Sequence, residues 1–325
     1  MDISILITNH NYDCTSLLKQ LHNLIGASEH RCEIIVIDDC SPCGAMLDAN
    51  IRTAQSLSGC RYIVNERNEG AAVCRNRLVQ MAQGEWVIFI DSDAAVGTNT
   101  HFIDKYWENR HMADVVVGGL LHPDTNTDDK RSLRFKYEKQ ADKHRSAKER
   151  ALNPYDKFTA FNVMAKRSAF GKIRFDESCK EYGYEDALFG LELKEKGISI
   201  SHIDNPLVHM GLDTNERFLE KTDISLKTLI QLQSQGKMLI GSRVGDMAKR
   251  IERLRLQGAY LWLFRVFEKQ ITRNLLSKNP SLLLFSLYKL GRYLSLNTKL
   301  PTFLTLNFYF LILNFYFLIL TFYFS

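Results

Sequence analysis

The chain has 325 residues, 45% of them hydrophobic and 24% charged, which excludes disorder for most of its length and leaves room for one large domain plus an appendage. The net charge of +5 conceals an asymmetry: from Arg217 onward 16 Lys and Arg stand against 5 Asp and Glu, whereas the preceding residues carry 26 and 32. The basic back half reads either as a face for an anionic membrane surface or phosphate-bearing substrate, or as an ordinary solvated helical face. No nucleic-acid reader motif is interleaved with it, which argues against nucleic-acid binding.

In chain order, Ile3-Ser4-Ile5-Leu6-Ile7 predicts a strand ending at the polar Thr8-Asn9-His10-Asn11. It lacks the basic start and long apolar core of a secretion signal. Leu17, Leu18, Leu21, Leu24 and Ile25 follow at helical spacing. Glu33-Ile34-Ile35-Val36-Ile37 predicts a second strand that runs into Asp38-Asp39, and Arg61-Tyr62-Ile63-Val64 a short third. A helix begins near Gly70 and carries Val73, Leu78 and Met81. Trp86-Val87-Ile88-Phe89-Ile90 predicts a fourth strand ending at Asp91-Ser92-Asp93, and Asp114-Val115-Val116-Val117 a fifth. Near-continuous apolar strands that alternate with helices predict an α/β fold with a mostly parallel sheet buried on both faces. Such sheets bind ligands beyond the carboxyl ends of their strands, where four polar clusters fall in register.

The stretch 123–156 turns polar, and Asp128 to Arg150 predicts an exposed helix or a flap. Arg217 to Asn297 reads as basic helices with apolar faces. Residues 300–325 carry no charge, and Leu306–Ile312 repeats letter for letter as Leu313–Ile319. That tail reads either as a membrane-contacting segment or as a duplication without function. Seven scattered cysteines, an odd number without framework spacing, point to a reducing cytosol, and the lone Cys40-Ser41-Pro42-Cys43 is a poor zinc or redox motif.

Asp91-Ser92-Asp93 leaves the most apolar strand, so its carboxylates emerge at the sheet edge. Hard cations such as Mg²⁺ or Mn²⁺ take carboxylate and phosphate oxygens, so a D-x-D at a strand end can hold a cation against a diphosphate, although the string alone also occurs in plain acidic turns.

With Thr8-Asn9-His10-Asn11-Tyr12, Ile35-Val36-Ile37-Asp38-Asp39-Cys40-Ser41, Asn68-Glu69-Gly70-Ala71-Ala72-Val73-Cys74-Arg75-Asn76, Phe89-Ile90-Asp91-Ser92-Asp93 and Gly183-Tyr184-Glu185-Asp186 in this order, the chain resembles a family 2 glycosyltransferase of the GT-A fold over roughly residues 1–215. His10 and Cys40 depart mildly from the family pattern. The resemblance implies a catalytic domain at 1–215, a Rossmann-like, mostly parallel sheet flanked by helices, then a basic helical C-terminal region at 216–299 and the repeat tail at 300–325. It implies an inverting transfer from a nucleotide-sugar donor to a glycan or lipid-linked acceptor, assisted by Mn²⁺ or Mg²⁺. Bacterial surface-glycan synthesis is the implied setting, in the cytoplasm with peripheral contact at the inner face of the membrane.

Residue by residue, the resemblance has Thr8 and Asn11 line the nucleotide pocket and one of Asp38 and Asp39 bond the base. Asn68, Gly70 and Arg75 shape and charge that pocket, with Asp91 and Ser92 on the donor. Asp93 and His209 are the implied cation ligands, and Asp186 the general base. The acidic start of a helix at Glu185-Asp186 also suits the helix dipole. Position alone places Asn162, Gly118 and Glu185 on the acceptor side. Competing readings are a nucleotidyltransferase, a non-catalytic nucleotide-sugar binder and a processive synthase. The first normally carries a Gly-rich basic loop after its first strand, and here that loop has neither Gly nor Lys. The joint presence of Asp93 and Asp186 argues against the second. The third carries Q-x-x-R-W and several spans, which Gln257-Gly258-Ala259-Tyr260-Leu261-Trp262 does not match.

Overall fold

The computed structural model describes residues 1–177, 183–236 and 243–297; Cys179 and the repeat tail lie outside the described residues. The chain forms two compact units, one from Met1–Thr125 with Glu138–Leu212, the other from Asn126–Tyr137 with the chain from Asp213 on.

The first unit opens with β1 (Ile3–Asn9), α1 (Thr15–Ala27), β2 (Cys32–Asp38), α2 (Ala45–Ser56), β3 (Cys60–Val64), α3 (Ala71–Met81) and β4 (Trp86–Asp91). There follow β5 (Ala94–Ala95), α4 (Phe102–Asn109), β6 (Val115–Val117) and β7 (Leu120–Leu121). Helix α5 (Ser132–Asp142) contains the division between the units, and α6 (Ala147–Ala151), β8 (Asn162–Lys166), α7 (Glu185–Glu195), β9 (Ile200–His202) and β10 (Leu207–His209) complete the first.

Seven strands form one sheet in the order β3-β2-β1-β4-β8-β6-β9. Strands β1 to β4 are mutually parallel. Only β8, which the sequence did not mark as a strand, runs against its neighbours β4 and β6. Side chains alternate between the faces with the period of two that a strand imposes. Ile3, Ile5, Ile7, Ile88 and Ile90 pack with Leu17, Leu18 and Leu21 of α1 and with Phe102 and Tyr106 of α4. Leu6, Ile35, Ile37, Val87 and Phe89 pack on the opposite face with Leu78 of α3 and with Phe189 and Leu193 of α7. Each such buried side chain contributes about 1.5–3 kcal/mol, so helices on both faces hold the strands and their polar C-terminal ends in place.

A second sheet has three strands in the order β5-β10-β7. His209 pairs with Ala94 on one side, and Val208 with Leu121 on the other. Asp93 and His122 flank those paired positions in sequence, so two two-residue strands and one three-residue strand line up residues from three distant parts of the chain.

The expected exposed helix over 128–150 is partly interior. Glu138 and Arg150 are buried, and the Arg150 guanidinium donates to the carbonyls of Val117, Gly118 and Ile203. The polar composition there supplies buried hydrogen bonds rather than a solvated surface.

The second unit contains α8 (Asn215–Ser234), α9 (Arg243–Arg253), α10 (Gln257–Leu275) and α11 (Leu282–Asn297). Phe218, Leu226, Phe264, Phe285 and Tyr288 are among its buried side chains, and the Arg292 guanidinium pairs with Asp223. At Gly291 a Cβ would lie 2.4 Å from the Phe264 ring, so glycine permits the close approach of α10 and α11. Trp262, Arg265, Val266, Lys269 and Arg273 form an exposed stripe along α10. Among the described residues no helix is long and apolar enough to cross a membrane.

Candidate functional site

Parallel register brings the strand ends together. Asn9 pairs with Asp38, and Thr8 pairs with both Ile37 and Asp91. Asp38 is wholly buried, and its oxygens accept from the Ser41 N–H, the Ser41 hydroxyl, Asn9 Nδ2 and the Tyr62 hydroxyl at 2.6–2.9 Å. A carboxylate has about four acceptor sites, so Asp38 is saturated by its own protein. Asp39 accepts from Glu69 N–H, Gly70 N–H and Asn65 Nδ2 at 2.8–2.9 Å. Burial opposes its charge, but those hydrogen bonds outweigh burial and hold the carboxyl below its ordinary value. Asp39 keeps 5% exposure where Asp38 keeps none, so of the two it is the one that can meet a ligand.

Around this pair Thr8 is half-buried, while Asn11 and Asn68 are exposed. Asn11 adopts φ of 51°, a left-handed conformation that asparagine tolerates, and its N–H donates to Ser41 Oγ. Asn68 donates to the Asp39 carbonyl. Gly70 caps α3 at φ of 91°, which disfavours any side chain, and nothing lies within 4 Å of where a Cβ would be.

Arg75 is buried on α3, donates to Asp91 Oδ1 at 2.8 Å and lies 5.3 Å from the Phe175 ring centre. Asp91, Asp186 and Glu185 all favour its charge against the effect of burial. Its charge therefore serves a cluster of carboxylates rather than an open phosphate pocket. Asp186 lies in the first turn of α7, whose cap residue Tyr184 takes φ of 74° after Gly183 at 100°. Glu185 accepts from the Gly183 N–H and so braces that entry. Asp186 is partly buried. Desolvation raises its carboxyl to about 6, with Asp91 and Glu185 adding to the rise and Arg75 and Thr159 opposing it. A carboxylate tuned toward neutrality and set beside a strand-end aspartate is suited to accept a proton.

Beyond the strand end, Ser92 is buried and Asp93 turns into the small sheet. His209 Nε2 stands 2.9 Å from Asp93 Oδ2. Asp93 Oδ1 is buried without a hydrogen-bond partner, and a Cβ on Gly211 would fall 2.0 Å from Asp93 Oδ2. An orphaned carboxylate oxygen in a cradle that only glycine leaves open fits a cation ligand. Among the described residues no three His, Cys, Asp or Glu groups converge on one such position, so Asp93 and His209 offer two ligands and leave the rest to phosphate and water.

Two expectations need correction. Asn162 is fully buried, donates to the carbonyls of Gly119 and Asn205 and accepts from the Tyr106 hydroxyl. A Cβ on Gly118 would meet Tyr106, Asn162 and Asn205 within 2.7 Å. Both residues tie the sheet together from within instead of lining an acceptor surface. The sequence reading missed His122, Thr159 and Gly211. Only Gly211, directly after His209-Met210, carried a local signal.

A model of the glycosyl transferase family 2 matches residues 4–174, more than half of the chain. The chain belongs to glycosyl transferase family 2, and its fold is the GT-A fold that the motifs predicted. It is 23% identical over 222 residues to the amylovoran biosynthesis glycosyltransferase AmsB of Erwinia amylovora, covering 66% of this chain and 71% of that protein. It is 36% identical over 73 residues to the putative teichuronic acid biosynthesis glycosyltransferase TuaG of Bacillus subtilis, covering 22% of this chain and 29% of TuaG. The mannosyl-3-phosphoglycerate synthase of Rubrobacter xylanophilus shares the fold at a TM-score of 0.50 and 16% identity, covering 74% of this chain and 77% of that one.

Proposed function

We propose that this protein transfers a glycosyl group from a nucleoside diphosphate sugar, with uridine as the nucleoside, to an acceptor hydroxyl with inversion. The reading is carried by one observation: Asp186, its carboxyl raised to about 6, shares the field of Arg75 with Asp91 at the strand end that leads into Asp93. Asp39 accepts the N3–H of the base, for which a carboxylate is the right partner. Asp91, held by Arg75, receives the ribose. Asp93 and His209 would hold a divalent cation, which would supply positive charge to the leaving diphosphate.

Asp186 accepts the proton of the acceptor hydroxyl as that oxygen bonds to the anomeric carbon. The bond from that carbon to the diphosphate oxygen breaks on the opposite side, the diphosphate leaves with the electron pair, and the configuration inverts. With its carboxyl near 6, Asp186 is mostly ionised at pH 7 yet more basic than an ordinary aspartate.

The names of the two relatives favour synthesis of a bacterial glycan. The α10 stripe favours an acceptor at an anionic membrane, since a tryptophan and cations on one helix face suit the headgroup layer. The deciding experiment measures nucleoside diphosphate release from a panel of nucleotide sugars, with Mn²⁺ or Mg²⁺ and with chelator, for wild type, Asp93→Ala and Asp186→Ala. Cation-dependent release from one donor, lost in both variants, supports the reading. No turnover and no cation-dependent donor binding refutes it.

A further inference from the structure

Behind His209 lies a group of buried titratable side chains that the proposed reaction does not use. His122 Nε2 is 3.2 Å from His209 Nδ1, and the rings meet edge to face. His122 Nδ1 is 2.9 Å from Asp142 Oδ1, and the backbone N–H of His122 donates to Asp142 Oδ2. Arg145 bonds both Asp142 and Glu138 at 2.8–2.9 Å, and Lys139 lies 3.7 Å from Asp142. The side chains of His122, Glu138 and Asp142 are 1%, 4% and 8% exposed. A row thus runs Asp93, His209, His122, Asp142 across the three-stranded sheet into the C-terminal turn of α5.

The polarity of this row follows from its far end. Asp142, paired with Arg145, only accepts, so the proton of the nearest imidazole nitrogen sits on His122 Nδ1. Arg145 bonds both carboxylates, and Glu138 Oε2 also lies 3.7 Å from His122 Nε2. A neutral ring protonated on Nδ1 accepts at Nε2, so His209 presents Nδ1–H to it. Asp93 Oδ2, 2.9 Å from His209 Nε2, also only accepts, so it is with a cation between them that the Nε2 lone pair is turned toward Asp93 and the ring proton is left to Nδ1. Phe161 packs edge to face on the same ring at 5.2 Å and restricts its rotation.

We propose that His122 is a positioning residue: held by Asp142, it fixes His209 with its proton on Nδ1, so that Nε2 joins Asp93 as a ready pair for a divalent cation. The proposal rests on the cation assignment made above and adds the residue that sets its affinity. Histidine ligands of metals are commonly held this way by a partner on the second ring nitrogen, whose loss weakens metal binding by about 10–100-fold.

The test compares wild type, His122→Leu, His122→Gln and Asp93→Ala by titrating Mn²⁺ and following free Mn²⁺ by electron paramagnetic resonance, with and without UDP. A glutamine amide oxygen can accept from His209 Nδ1–H, whereas leucine cannot. His122→Leu is expected to weaken Mn²⁺ binding by about 10-fold or more, and His122→Gln to restore most of that loss. In the Mg²⁺- and UDP-loaded wild type, two-bond ¹H–¹⁵N spectra should place the His209 ring proton on Nδ1. A ¹⁵N–¹⁵N coupling between His209 Nδ1 and His122 Nε2 in the same sample, expected if the two rings share that proton and absent otherwise, decides the role of His122 even if His122→Leu fails to fold. Equal Mn²⁺ affinity in wild type and His122→Leu overturns the role of His122 alone, whereas a His209 proton on Nε2 in the loaded protein also removes His209 from the cation. Absence of Mn²⁺ binding in wild type, or undiminished binding in Asp93→Ala, overturns the cation assignment together with it.

Discussion

Replacing Asp186 by asparagine should make the protein less active and, above pH 6, more stable. The carboxyl is raised from 3.8 to about 6 by desolvation first, so the folded state binds its proton more tightly than the unfolded chain does. The sign follows from linkage. Below pH 3.8 the group is protonated in both states and costs nothing relative to a neutral amide. Between 3.8 and 6 the unfolded chain releases the proton first, and the native state loses ground progressively. Above 6 the full penalty is present. Two pH units correspond to about 3 kcal/mol, and partial exposure reduces this to about 1–3 kcal/mol. The Asp186→Asn variant keeps the shape and the Thr159 contact, so its stability advantage should be near zero at pH 4 and largest at pH 7–8. Transfer should fall by about 10²–10⁴-fold with loss of the base. Thermal unfolding at pH 4 and pH 8, with donor turnover at pH 7.5, reads both effects. A variant equally stable or less stable at pH 8 would refute the account of a carboxylate held in a desolvated, like-charged cleft.

Arg75→Met removes the main influence that opposes the rise at Asp186, so the acid limb of kcat/KM against pH should move upward by about one unit or more; an unmoved limb denies the coupling. Gly211→Ala needs no new backbone conformation but drives a methyl into Asp93, so Mn²⁺ affinity should fall about tenfold or more with little change in Tm, as read by Mn²⁺ titration and calorimetry. Asp38→Asn leaves part of a four-donor buried network unmatched and should destabilise the protein by about 2–4 kcal/mol in urea unfolding, whereas Asp39→Asn, which also loses internal partners, should in addition weaken UDP binding.

The parallel half of the sheet was legible because β1, β2 and β4 are apolar runs that end abruptly in polar residues, and burial on both faces leaves no other reading for such runs. The ends of those strands named Asp38, Asp39, Asp91 and Asp93 at once. Strand β8 was not legible: Asn162–Lys166 is short, follows an irregular stretch and owes its direction to its neighbours, not to its own pattern. Arg75 looked like a pocket charge because its place in a helix does not disclose that Asp91 and Asp186 enclose it. Asn162 looked functional because polarity alone does not separate an exposed amide from one whose hydrogen bonds are all internal. His122 was out of reach, since its contact with His209 depends on the register of strands two and three residues long.

The pairing of β5 with β10 also bears on how the molecule comes into being. Asp93 and His209 are separated by 116 positions, and the join between them closes over most of the first unit. Contacts of such long sequence separation form late, because the chain entropy of the enclosed segment must be lost before they are gained. During synthesis the corner that holds Asp38, Asp39 and Gly70 can assemble while the segment from Asp114 onward is still unmade. A ribosome-bound chain at that stage has the Asp38, Asp39 and Gly70 corner but no partner for Asp93, so the pairing of β5 with β10 marks the moment at which the first unit closes.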